Sequence, residues 1–550
     1  MAKSKRNTNF WNGEPKQPKQ PKPRTKSNTK RERKKPDLRW LFAALVLIIA
    51  IVAAVVVNTD FTRTDSTKFA NVLDVDNGDL KINWDRYQTV NIELSEPLNI
   101  TESGTYHLTG TLTSGITIDA GVSEVRLILD SATIFNPTGP AILCYSAEDL
   151  VIETAGQSTV TSGTTYDSSY DEDITGTIYS KADLTFQGTG ELSITTGYQD
   201  AIVGKDDVKF NTGTYKIAAA DDGVRGKDSV YIVDADLTID ATATAIKTTN
   251  TLDSGKGFIL IEGGNLNLAT KENKGLAATN YILIYGGNIN LETYDDAIHS
   301  DRYIGIAGGT ININSGDDGI HANTELIIDG GDINIEKAYE GVEAQVITIN
   351  DGDLNIIAND DGINAGGGAD NSATTTNKNH KTIGAFDADE NCVLTINGGN
   401  IYVSSAGDGV DSNGYLYFNG GTTTVDGPTN NGNGSLDSGL GIIMNGGEVL
   451  AVGSSGMAEA PNENSSVNNI SVYFNKVHPA ETTVTIKDST DNTIIEHTSI
   501  KQFAHLTFGS AKLQFGETYT LYIDGDEYTK FTINSITNTI GKNENSFIRK

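Results

Sequence analysis

A phrase of the form acid–acid–Gly–aliphatic returns along the chain at a nearly fixed interval, and that interval constrains the fold more than any other feature. DDAIHSD starts at Asp295, DDGIHAN at Asp317, YEGVEAQ at Tyr339 and DDGINAG at Asp360, with DDGVRGK earlier at Asp221. When the second acidic residue marks each copy, the markers fall at Asp200, Asp222, Asp296, Asp318, Glu340, Asp361 and Asp408. The steps 200–222, 296–318 and 318–340 are each 22 residues, and 340–361 is 21. Thr244 and Lys274 stand at marker positions where the acid is lost, and an insertion at 366–391 interrupts the count before Asp408. Self-similarity at such a period signals a stack of one small unit, each copy burying its apolar face against the next.

Within a unit such as DDGIHANTELIIDGGDINIEKAY, three short stretches (GIHA, ELIID and DINIE) alternate apolar and polar residues, and Gly-Gly or Asp-Gly punctuates the turns. No stretch carries a helical period, and the frame of a leucine-rich repeat is absent. The expected fold is all-β: a parallel β-helix of about twelve coils over 89–463, followed by a β cap segment at 464–540 and a tail at 541–550. Coils spaced about 4.8 Å apart put equal repeat positions in columns. Ile298, Ile320, Val342 and Ile363 then form one inward aliphatic column, with Ile311, Ile313, Ile333 and Ile335 in another.

The formal charge of −31 hides two opposed parts. Residues 1–39 carry 14 Lys/Arg against three acids, whereas the rest carries 27 basic against 69 acidic side chains. A body this acidic repels nucleic acid, which excludes it as a partner, and attracts cations. The basic segment, with its PKQPKQPKPR run, reads as a disordered cytoplasmic tail. Trp40–Val57 is 18 residues without charge or proline, long enough for a bilayer core and flanked on its N-terminal side by basic residues. It reads as a transmembrane signal anchor, with a linker at 58–88 and the bulk of a single-pass cell-membrane protein outside, expected as a monomer. Cys144 and Cys392 read as two isolated core thiols.

Stacking turns the markers into a column of carboxylates about 5 Å apart, where each neighbouring pair repels by roughly 3 kcal/mol at an effective dielectric of 20. Splayed side chains, shared protons or a bound cation would relieve it. Calcium suits such a column, because it takes six to eight oxygens with loose geometry. The expected Ca2+ ligands are Asp295, Asp296, Asp317, Asp318, Glu340, Glu343, Asp360, Asp361 and Asn364. Asp-Asp-Gly is also good turn chemistry by itself. The outward position three residues past each marker holds His299, His321, Glu343, Asn364 and Asp411. His299 and His321, with Tyr339, are the expected sugar contacts; two stacked imidazoles beside carboxylates also suit zinc, although outward histidines ordinarily face solvent.

The coils [D/E]-G-[I/V]-x-[A/S], the strands LIIDGGDINIE and LTINGGNIYV, and the ending KLQFGETYTLYIDGDEYTKF resemble the carbohydrate-binding domain-containing protein family of bacterial cell surfaces, over about 90–535. The resemblance implies a right-handed, pectate-lyase-like parallel β-helix, acidic calcium sites, and binding of a plant-type polysaccharide such as polygalacturonate or cellulose. It implies no reaction. Three readings stay open: a calcium-dependent polysaccharide binder, a calcium-dependent polysaccharide lyase, and a surface adhesin. A lyase needs a base beside a uronate carbon, and Arg225, three residues after Asp222, is the candidate.

Overall fold

The computed structural model describes residues 66–76, 78, 81–366 and 388–541. The tail 1–39, Trp40–Val57 and nearly all of the 366–391 insertion lie outside them. Among the described residues no helix is long and apolar enough to cross a membrane. The single-pass cell-membrane assignment is corrected on that finding.

The described residues are all-β with almost no helix, the longest being the four residues Thr67–Ala70. Among them thirty-nine strands join one large mixed sheet, and a further four form a second. Over most of its length the sheet is built from parallel ladders between segments about one repeat apart. Ile298 pairs with Ile320, Ile320 with Val342 and Val342 with Ile363. The same ladders align His299 with His321, His321 with Glu343, Glu343 with Asn364, and Asn364 with Asp411 across the insertion. The four aliphatic residues are all 0% exposed, so side-chain alternation sends every second residue into one continuous core. Both cysteines are free and buried.

Gly-Gly turns keep the segments in step. Gly309 has φ +96°, a backbone conformation side chains rarely adopt, and an added Cβ would lie 3.0 Å from the Gly287 carbonyl one repeat below. The sheet becomes antiparallel near its end, where Glu448–Gly453 pairs with Phe503–Ser510, which pairs in turn with Asn469–His478. Phe508, Leu506, Ile470 and Val484 belong to a separate apolar cluster here. The four-stranded sheet, which includes Thr483–Lys487 and Thr518–Ile523, completes this region.

Candidate cation-binding ladder

The marker acids do two jobs with two oxygens. One oxygen of each Asp accepts the backbone N–H of the next marker position: Asp222 donates to Asp200 at 3.2 Å, Thr244 to Asp222 at 3.1 Å, Asp318 to Asp296 and Glu340 to Asp318 at 3.2 Å, and Asp408 to Asp361 at 2.6 Å. Aspartate therefore recurs partly because its short side chain clamps one segment to the next. The second oxygen needs another partner, and the ladder divides according to what it finds.

Along the earlier rungs that partner is a side-chain cation. Arg225 Nη2 lies 2.6 Å from Asp200 Oδ2 and also donates to Thr175; Lys247 pairs with Asp222. Lys274 Nζ is 2.5 Å from Asp296 Oδ2, which also meets His299 Nδ1 at 2.8 Å. His321 Nδ1 sits 2.9 Å from Asp318 and 3.1 Å from Glu343. These pairs set the charge states. Burial works against ionising Asp296, but His299 and Lys274 hold its carboxyl below the usual range. Burial likewise opposes a charge on His321, yet the Asp318 hydrogen bond and the Glu343 charge push it up to about 9. Asp296 and Asp318, expected as calcium ligands, are therefore already engaged by protein cations. Lys274 also approaches Asp295 at 3.2 Å, and Asp317 is buried beside it in a group with Asp296.

Among the described residues the later rungs have no such relief. Glu340, Asp360, Asp361, Asn364, Asp408, Asp411 and Asp437 converge on one cavity of about 340 Å³. Among the described residues, only backbone donors and other carboxylates act on Asp361, Asp408 and Asp411. Burial, reinforced by neighbouring carboxylates, pushes Asp361 up to about 8 and Asp408 to about 7. The same causes hold Glu340 and Asp411 well above the ordinary range. One oxygen from each of Asp361, Asp408 and Asp411 lies within 4.8 Å of the others. Asn364 donates to Glu340 at 3.0 Å while its own Oδ1 is buried without a hydrogen-bond partner among the described residues. A hard cation that prefers oxygen fits this donor set, because it would replace the shared protons and satisfy the orphaned amide oxygen.

The expected set thus splits: Glu340, Asp360, Asp361 and Asn364 meet in the cavity, while Asp295, Asp296, Asp317, Asp318 and Glu343 lie with the histidines. Asp408, Asp411 and Asp437 were missing from that set. Asp408 stands in the marker count and Asp411 at the position three residues on, while Asp437 lies three residues past Gly434, whose N–H donates to Asp408. Of the expected sugar contacts, His299 and His321 are only 7% and 1% exposed, so neither offers an edge to a glycan. Tyr339 is half-buried beside the cavity, its phenol raised by a hydrogen bond to Asp360.

A family model described as carbohydrate-binding domain-containing protein matches residues 95–341 and 293–432, more than half of the chain. The chain belongs to that family. A carbohydrate-binding domain-containing protein of Acetivibrio thermocellus is 30% identical over 145 residues, which cover 25% of this chain and 50% of the relative. The match therefore spans only half the length of that carbohydrate-binding domain-containing relative. Among solved structures, the polysaccharide lyase-like protein from C. thermocellum (a gadolinium derivative) is 25% identical, with a TM-score of 0.36 over 44% of this chain and 96% of that one.

Proposed function

We propose that this member of the carbohydrate-binding domain-containing family is a calcium-dependent polysaccharide-binding protein, its repeats forming a right-handed parallel β-helix. The observation that carries the reading is the acid cavity at 340–437, where half-buried carboxylates converge and, among the described residues, no protein cation pairs with Asp361, Asp408 or Asp411. Calcium held there neutralises the carboxylates and keeps open coordination positions for a sugar acid, so a polyuronate such as polygalacturonate is bridged rather than repelled. Tyr339, hydrogen-bonded to Asp360 of that cavity, is the ring expected to pack against the sugar.

A second surface favours a neutral glycan such as cellulose. A groove of about 410 Å³ runs past Asn267, Asn290 and Asn312. Asn290 donates to Asn267 at 3.0 Å and Asn312 to Asn290 at 2.9 Å. Each linked amide keeps a second N–H for a hydroxyl, and no cation is required. The lyase reading has less support. Arg225 is committed to the buried Asp200 and Thr175, so it is poorly placed to take a proton.

Pull-down with polygalacturonate in calcium and in chelator tests the reading. Retention falls at least about tenfold in chelator, and Asp408→Asn with Asp411→Asn reproduces that fall with calcium present. Cellulose retention through the amide groove stays unchanged in both. Equal polygalacturonate retention with and without chelator would contradict the calcium bridge.

A further inference from the structure

We propose that His321, Asp318 and Glu343 form a second, separate metal site, selective for zinc or a similar borderline divalent cation rather than calcium.

The geometry is that of three ligands turned toward one point. His321 Nδ1 is 2.9 Å from an Asp318 oxygen and 3.1 Å from a Glu343 oxygen, and the ligand atoms of all three residues lie within 4.8 Å of one another. Zinc bonds of about 2.0–2.2 Å in a tetrahedron separate neighbouring ligand atoms by about 3.3 Å, so this triangle closes on zinc with small movements. The ring is 1% exposed, and its other nitrogen, Nε2, meets no hydrogen-bond partner among the described residues. All of its polar contacts are therefore spent on the carboxylate pair. Asp318 holds its place through the N–H of Glu340, which it accepts at 3.2 Å with its second oxygen, leaving the first for the metal.

The neighbouring rungs sharpen the inference. Where the ladder needs only a counter-charge, it uses Arg225, Lys247 and Lys274, long aliphatic side chains that cannot ligate a metal at neutral pH. At His321 it switches to an imidazole packed between two acids from adjacent rungs. His299, whose ring centroid lies 5.0 Å away, keeps both nitrogens on Asp296 and Asp301, and Lys274 keeps its charge on Asp295 and Asp296. Those groups frame the site without joining it. An imidazole nitrogen with two carboxylates suits zinc, whereas calcium seeks oxygens alone. When zinc binds, Nδ1 releases its proton to solvent and donates its lone pair instead. The site does not depend on the calcium reading, since no ligand is shared with the Asp361–Asp408–Asp411 cluster.

Titration calorimetry of the full chain with zinc chloride, in saturating calcium, tests it. The expected result is one equivalent of zinc that excess calcium does not displace. Glu343→Gln weakens this binding at least about tenfold, and His321→Gln removes it. Cobalt(II) in place of zinc gives visible absorption bands with nitrogen–oxygen ligation. If His321 were only an internal counter-ion, His321→Gln would instead free two carboxylates and strengthen divalent binding; that outcome overturns the proposal, as does displacement of zinc by calcium. Should His321→Gln fail to fold, unchanged zinc affinity in Glu343→Gln or a colourless cobalt complex of the unaltered chain overturns it as well.

Discussion

Calcium added to the chelated protein at pH 8 raises its melting temperature, and Asp361→Asn with Asp408→Asn abolishes most of that rise. A ligand bound only by the folded state stabilises it by about 2.7 kcal/mol at a hundred times its dissociation constant. The pH dependence fixes the sign. Folded values of about 8 for Asp361 and about 7 for Asp408 lie above the ordinary 3.8, so the fold binds more protons than the unfolded chain between those limits. In chelator, the stability tied to these two groups is therefore complete below about pH 4 and is lost as pH rises through 7 to 8. Each group contributes a slope of up to about 1.4 kcal/mol per pH unit in that window. Calcium restores what the protons no longer supply, so its effect is small at pH 5 and largest at pH 8. The double asparagine variant should melt higher than the unaltered protein in chelator at pH 8, because the repulsion is gone, yet respond little to calcium. Melting curves across pH, with and without calcium, check all of this. A calcium response equal at pH 5 and pH 8 would contradict it.

Arg225→Ala should destabilise the fold by about 3–5 kcal/mol without abolishing polygalacturonate retention. Asp200 is 1% exposed, and losing the guanidinium leaves a buried carboxylate with only Thr175 and the backbone N–H of Asp222. Burial already pushes the Asp200 carboxyl up despite the arginine, so without that charge it would take up a proton. Pairing Arg225→Met with Asp200→Asn removes both charges together and should recover most of the lost stability. Denaturant unfolding of the two single variants and the double variant measures the coupling. If Arg225 were instead a catalytic base, its loss would leave stability nearly intact while ending any release of unsaturated uronate product.

Periodicity alone carried the core and its columns. The 22-residue step aligns Ile298 with Ile320 and His299 with His321, and the pleat decides which side chains turn inward. The step also survives the insertion, because Asn364 and Asp411 are neighbours in the sheet although they stand 47 positions apart in the sequence. Charge partnership was far less legible. Arg225 reaches Asp200 and Lys247 reaches Asp222, each 25 residues back, so each cation pairs with an acid of the preceding repeat and of a different column. Lys274 looked like a lost acid, although it is the counter-charge for Asp296. Column position also did not reveal that the outward histidines are covered. The two rings pack against each other and against Asp296, Asp301, Asp318 and Glu343, and a period reports direction but not depth. The acid cavity was partly hidden, since Asp408, Asp411 and Asp437 fall beyond the insertion where the spacing breaks.

The central claim is that a divalent ion holds the carboxylates of the later rungs together. A crystal structure of the full chain grown in calcium at pH 8, with anomalous scattering to identify the ion, tests it most directly. The account predicts calcium at about 2.3–2.6 Å from oxygens of Asp361, Asp408 and Asp411, with Asn364 Oδ1 turned toward it. Only water in that cavity, with carboxyl oxygens paired closely enough to share protons, would contradict it.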